Sequence, residues 1–98
     1  MNRRISFHEA AEREITDAVR FFQSERAELG RALIDEVERA LHQILTHPLS
    51  YQLVNRTVRR KVLSRFPYSI MYSVKPESIR ILAIASQRRR PFYWLGRV

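Results

Sequence analysis

At Pro48 the spacing of apolar residues changes, and that change constrains the fold more than any other feature of the chain. Upstream, Ala11, Ile15, Ala18 and Phe22 recur at i, i+4, i+7 and i+11, with Val19 beside them. That is the stripe of an amphipathic helix. Glu9, Glu12, Arg13, Glu14 and Asp17 fill the opposite face, and acidic residues in the first turns suit the helix dipole. The pattern predicts a helix from about His8 to Ser24. A short connection, SERAELG, leads to a second stripe of Leu29, Leu33, Val37, Leu41 and Ile44, widened by Ile34, Ala40 and Leu45. Pro48 ends it, since proline cannot continue the helical ladder. So short a connection makes the pair an antiparallel hairpin.

Beyond Pro48 the period is two. Thr57–Phe66 reads as a strand rich in β-branched and basic residues. Pro67 and Tyr68 open a second strand, in which Tyr68, Ile70, Tyr72 and Val74 share a face. Lys75-Pro76-Glu77-Ser78 is a turn. The third strand, SIRILAIAS, is apolar on both faces toward its end, with Ile81, Ala83 and Ala85 set against Leu82 and Ile84. That marks a central strand covered on both sides. Near the N-terminus, Arg3–Phe7 alternates and predicts one more short strand. The expected fold is α+β. An N-terminal strand precedes an antiparallel helical hairpin, which packs on one face of a mainly antiparallel sheet completed by a three-strand meander. The tail, SQRRRPFYWLGRV, continues the central strand, and Tyr93 and Trp94 pin it. The other sheet face is expected to be partly open.

Ninety-eight residues, 45% hydrophobic and 29% charged, suit a single globular domain spanning 1–98 rather than a disordered chain. With no cysteine, disulfides and thiolate metal sites are excluded. The N-terminus lacks the apolar segment of a secretory signal and no run could span a bilayer, so a cytoplasmic protein without membrane contact is expected. Charge is strongly divided. Residues 1–48 carry 7 Lys/Arg against 9 Asp/Glu, and residues 49–98 carry 11 against 1. So one-sided an excess points to a polyanionic partner, a nucleic acid or an acidic protein segment.

Catalytic constellations are scarce. His8, His42 and His47 all lie in the helical half, away from the arginines. His42 and His47 are five apart, not the i, i+4 spacing of helical zinc ligands. Only Gly30 and Gly96 are glycines, so no phosphate loop exists. No metal and no cofactor is expected. What remains is basic and aromatic: Arg59, Arg60, Lys61 and Arg65 on the first meander strand, Arg88, Arg89 and Arg90 after the last, and Tyr93 and Trp94 beyond them. Arginine binds phosphate or carboxylate through a planar fork of donors. Strand alternation sends Arg59, Lys61 and Arg65 one way and Arg60 the other. A basic edge strand also guards against aggregation.

These residues carry a family likeness over nearly the whole chain. Through FHEAAEREI, LGRALIDEVERALHQILTHP, VRRKVLSRFPYSIMYSV and ILAIASQRRRPFYW, it resembles the RelE/ParE toxin superfamily of type II toxin–antitoxin systems, on its ParE (plasmid stabilisation) side. The family's arginine pair and Phe-Pro-Tyr turn fall on Arg59, Arg60 and Phe66-Pro67-Tyr68. Its C-terminal arginine pair and Tyr-Trp fall on Arg88-Arg89 and Tyr93-Trp94. The resemblance implies a toxin that poisons DNA gyrase by binding, without catalytic residues, and blocks replication. Target- or antitoxin-binding residues would be Arg59, Arg60, Lys61, Arg65, Arg88, Arg89, Arg90, Tyr93 and Trp94. The implied partner is an antitoxin whose disordered, acidic C-terminal segment folds on the toxin. RelE-like members instead cut messenger RNA in the ribosome. Under that alternative Arg60, Lys61, Arg88 and Tyr93 would be catalytic. Many relatives carry histidine just before the Gln-Arg-Arg, where this chain has Ser86, and this departure favours binding over cutting. A non-toxic antitoxin-binding or nucleic-acid-binding module is the third reading.

Overall fold

The computed structural model describes residues 3–98. The element order is β1 (Arg4–Phe7), α1 (Glu9–Glu25), α2 (Ala27–Thr46), β2 (Gln52–Leu53), β3 (Val58–Val62), β4 (Tyr68–Val74) and β5 (Ser78–Ser86). One five-stranded sheet has the order β1-β5-β4-β3-β2. Strand β1 runs parallel to β5, and the other pairings are antiparallel. The expected α+β architecture is therefore present, with β5 central.

Both helices follow their sequence stripes. The imidazole of His8 caps α1, with Nδ1 accepting from the Ala10 N–H at 3.0 Å, which satisfies one of the free donors of the first turn. A single residue, Arg26, separates the helices. Gly30 permits this close crossing: a Cβ there would lie 3.0 Å from Gln23 Cβ and 3.3 Å from the Val19 carbonyl. Along α2, Leu33, Val37, Ala40 and Ile44 are buried against Ile70, Tyr72, Ile79, Ile81 and Ile84 of the sheet. Each large aliphatic side chain so enclosed contributes about 1.5–3 kcal/mol relative to exposure. Leu45, expected to widen the stripe, is instead exposed. Tyr72 is fully buried and its hydroxyl donates to the Pro48 carbonyl at 2.7 Å, fixing the chain where the helical half ends.

The sheet departs from simple alternation in three places. First, β2 is an added edge strand. Second, β3 stops at Val62 rather than Phe66, because residues 63–67 form a turn held from α2. There the buried Glu36 carboxylate accepts from the Ser64 hydroxyl at 2.8 Å, the Arg65 N–H at 3.2 Å and the Ser64 N–H. Third, a bulge breaks the β4–β5 register: Met71 faces Ala83 but Tyr72 faces Ile81, leaving Leu82 unpaired. The extra residue reverses the side-chain parity of the strand. Ile79, Ile81 and Ile84 consequently face the helices, while Leu82, Ala83 and Ala85 face the other way. This corrects the expected grouping of Ile81 with Ala83 and Ala85. On the α2 surface, Asp35 pairs with Arg31 at 3.5 Å.

Glu36 should impose an acid limit on stability. Burial pushes its carboxyl pKa up, but the Ser64 and Arg65 hydrogen bonds and the Arg39 charge outweigh that, and the pKa is lowered from 4.5. Because the folded value is depressed, the stabilisation is complete above the ordinary carboxylate pKa and is lost as pH falls through the lower folded value. Glu36→Gln should lose about 1.5–3 kcal/mol at neutral pH and flatten the stability profile below about pH 4.5. Urea unfolding across pH 3–7 checks this. An unchanged acid limb in the variant would contradict it.

Candidate functional site

Strand alternation places the basic residues of β3 on opposite sides of the sheet. Arg59 turns toward the end of α2, where Nη1 donates to the Leu49 and Tyr51 carbonyls at 3.2 and 2.8 Å. Lys61 lies on the same side, its Nζ 4.8 Å from the centre of the Tyr51 ring. Arg60 points to the other side, where Nη2 donates to the Gln52 side-chain oxygen. Arg65 sits in the β3–β4 turn, 5.6 Å from the Phe66 ring centre.

After β5 the chain does not run on, as the sequence led us to expect. It reverses at once. The Ser86 hydroxyl accepts from the Arg88 N–H at 3.2 Å, the Ser86 carbonyl accepts from the Arg89 N–H at 3.1 Å, and the Gln87 N–H reaches the Pro67 carbonyl at 3.0 Å. Residues 87–98 then fold back under the sheet. Trp94 is buried there with Val58, Met71, Leu82, Ala83 and Ala85 as a second, smaller core. The face expected to be partly open is in this way covered in part by the tail, which packs on the sheet through Trp94 and is tied to α1 through Tyr93 and Arg97. Ser86 serves here as a turn cap.

A clasp holds the tail in place. Strand β1 pairs with β5 only as far as Ile81, leaving the next stretch of edge without a strand. Glu14, on α1, reaches into this gap and accepts from the Ile84 N–H at 3.0 Å. Arg97 donates from both terminal nitrogens to the Glu14 carboxylate at 3.0 Å, and also to the Leu82 carbonyl at 3.0 Å. The two side chains thus substitute for a missing strand. Tyr93 is enclosed between the Arg89 and Arg97 guanidinium groups, 3.9 and 5.1 Å from its ring centre. Its hydroxyl donates to Glu14 at 2.9 Å. Burial, and then the bond to Glu14, push the Tyr93 pKa up to about 12. Its proton is already committed, which makes it a poor general acid. Sequence reasoning missed this clasp, because Glu14 reads as one more acidic residue on an exposed helical face.

Between tail and sheet lies a groove of about 300 Å³, lined by Arg60, Arg89 and Arg90, by Ser69 and Ser86, and by Met71, Phe92, Tyr93 and Trp94 among others. No carboxylate lines it. Of the sequence candidates, Arg60, Arg89, Arg90, Tyr93 and Trp94 meet here. Arg59, Lys61, Arg65 and Arg88 lie outside. The four residues named for a nuclease are accordingly divided, with Lys61 across the sheet and Arg88 exposed in the turn. Among the described residues no cluster of three His, Cys, Asp or Glu is placed to hold a metal. Among the same residues no helix is long and apolar enough to cross a membrane.

The comparisons bear on the fold and the family. No curated protein matches the chain. A solved chain described as the chromosomal ParDE TA system from P. aeruginosa is similar in fold, with a TM-score of 0.71 and 22% identity over 86% of this chain and 95% of that one. The family model for the ParE toxin of the type II toxin–antitoxin system, parDE, matches residues 5–91. That span takes in both helices, strands β2 to β5, all but the first residue of β1 and the start of the tail, so the chain belongs to the ParE toxin family of type II toxin–antitoxin systems.

Proposed function

We propose that the protein is a toxin that binds and inhibits DNA gyrase, blocks replication, and is neutralised by a cognate antitoxin, with plasmid stabilisation as one outcome of such a pair. The observation that carries this reading is the character of the groove: three arginines around an apolar floor, without a histidine or carboxylate lining it. Such a surface binds an anionic partner but lacks an ordinary proton-transfer pair. Gyrase poisoning by binding alone needs no such pair. It also requires a cytoplasmic site of action.

The antitoxin is expected to cover two kinds of surface. Exposed Leu45, Leu49, Leu53 and Val62 offer apolar contacts near the end of α2 and the sheet edge. The arginines offer partners for an acidic segment that orders as it binds.

The test is purified protein with gyrase and relaxed or supercoiled plasmid. Inhibition of supercoiling and accumulation of cleaved DNA are expected. Arg89→Glu/Arg90→Glu should raise the inhibitory concentration at least about tenfold with the protein still folded, Arg90 being exposed and Arg89 giving up only its contact with the Tyr93 ring. Normal gyrase activity in the presence of folded toxin would overturn the proposal. Cleavage of translated mRNA after induction, read by primer extension, would replace it with the RelE-like ribonuclease reading. Unaffected growth with antitoxin binding retained would leave a non-toxic module.

A further inference from the structure

We propose that the groove between the sheet and the C-terminal tail holds one unstacked nucleotide of a single-stranded nucleic acid, its phosphate on Arg60, Arg89 and Arg90 and its base against Phe92. This goes beyond gyrase inhibition, because it gives the protein a direct nucleic-acid contact whatever its protein target.

Two features single out this groove from the rest of the basic surface. The first is Arg60. Its Nη2 is held by Gln52, which fixes the guanidinium plane. Its Nε is shielded from solvent, yet no acceptor faces it among the described residues. Buried donors are nearly always paired, and an unpaired one calls for an explanation. Gln52 engages only one of the Arg60 nitrogens, so an oxyanion entering the groove can engage the rest of the guanidinium. Arg89 and Arg90 add cationic forks, and no lining carboxylate competes with an incoming phosphate.

The second is Phe92. Its φ is 61°, in the left-handed region that a bulky side chain rarely occupies. Such strain persists where the surrounding structure enforces it, and it concentrates at binding sites. The Trp94 ring is buried, with its centre 5.6 Å from that of Phe92. Phe92 itself remains 48% exposed and lines the groove. An exposed aromatic face beside a cationic track is the arrangement that single-stranded nucleic-acid binders use for a base and its phosphate. An acidic peptide would satisfy the arginines but leave the strained ring without a role. A groove of about 300 Å³ is at the small end of ligand sites, which suits one nucleotide rather than a duplex.

Fluorescence anisotropy with labelled short oligo(dT) and oligo(rU), in low salt, tests the proposal with the full chain. Binding of either supports the site, and the comparison separates a DNA source from an RNA one. An oligomer of the same length made of abasic residues should bind about tenfold more weakly. Phe92→Gly should lose the same factor on the normal oligomer and none on the abasic one, and it should stay folded because glycine accepts the positive φ, which offsets the lost contact with Trp94. Phe92→Leu serves as a second variant, keeping the apolar volume but removing the aromatic plane, and should lose binding similarly. Emission from Trp94, the single tryptophan, reports that the tail remains seated. Arg60→Gln should weaken both oligomers. Equal binding of normal and abasic oligomers, undiminished binding by a well-folded Phe92 variant, or no oligomer binding with tight capture of a poly-glutamate peptide would each overturn the assignment.

Discussion

Glu14→Ala is expected to destabilise the protein by about 3–5 kcal/mol, a large part of the total stability of a domain this size. The corresponding fall in thermal midpoint is at least about 12 °C. On the sequence, Glu14 is an acidic residue of an amphipathic helix, a class of position where substitutions usually change little. In the structure it is 15% exposed and its partner Arg97 17% exposed. Its carboxylate satisfies the Ile84 N–H, the Tyr93 hydroxyl and both terminal nitrogens of Arg97. Removing it leaves a largely enclosed guanidinium without its counter-charge and a strand-edge donor without its acceptor. The penalty comes from those stranded groups, more than from the net worth of the pair. The double variant Glu14→Met/Arg97→Met should therefore recover much of the loss, since neither charge remains to be stranded. Urea unfolding of the single and double variants is the measurement. A Glu14→Ala protein within about 0.5 kcal/mol of wild type would show that the clasp carries no load.

The clasp also shows where reading the sequence reaches its limit. Both helices are legible because their apolar stripes repeat over several turns, and the same holds for β4, where Tyr68, Ile70 and Tyr72 alternate cleanly. Strand β5 is legible as a strand but not in its parity. Both of its faces are apolar, so nothing in SIRILAIAS marks Leu82 as the bulged residue. The two residues of β2 are too few to show any period. The division of Arg60 from Arg59 and Lys61 follows from alternation alone. The fate of the tail does not. It turns at Ser86–Arg89 without a glycine or proline and takes up a positive φ at a phenylalanine, so local signals point to extended chain. The interactions that reverse it are non-local: Glu14 and Arg97 lie 83 positions apart, and Trp94 packs on residues from three strands. Tertiary contacts override the local preference there, and the groove exists only as a consequence.

That dependence makes Trp94→Ala the most informative single substitution in the tail. Trp94 is 3% exposed and is the only large aromatic ring buried in the second core. Truncating such a residue costs about 3–5 kcal/mol. The cost should not spread evenly. The helix-side core of Leu33, Ile44, Ile70, Tyr72, Ile79, Ile81 and Ile84 does not include Trp94, so the hairpin and the sheet can remain folded while residues 87–98 come loose. Local opening of this kind is expected of a segment held by few apolar contacts. Amide exchange should therefore rise sharply at Ile84 and Arg97, whose N–H groups bond to Glu14 and to the Trp94 carbonyl. It should stay slow at Met71 and along α2. With the tail released, Phe92, Arg89 and Arg90 no longer converge on Arg60, and binding at the groove should fall even for a partner that never touches Trp94. Leu95→Ala is the matched control: it lies next in sequence but is 58% exposed and should leave both exchange and binding near wild type. Uniformly faster exchange across the hairpin and sheet in Trp94→Ala would mean that the two faces form one cooperative unit. In that case the tail is part of the fold's foundation and not a separable layer laid over it.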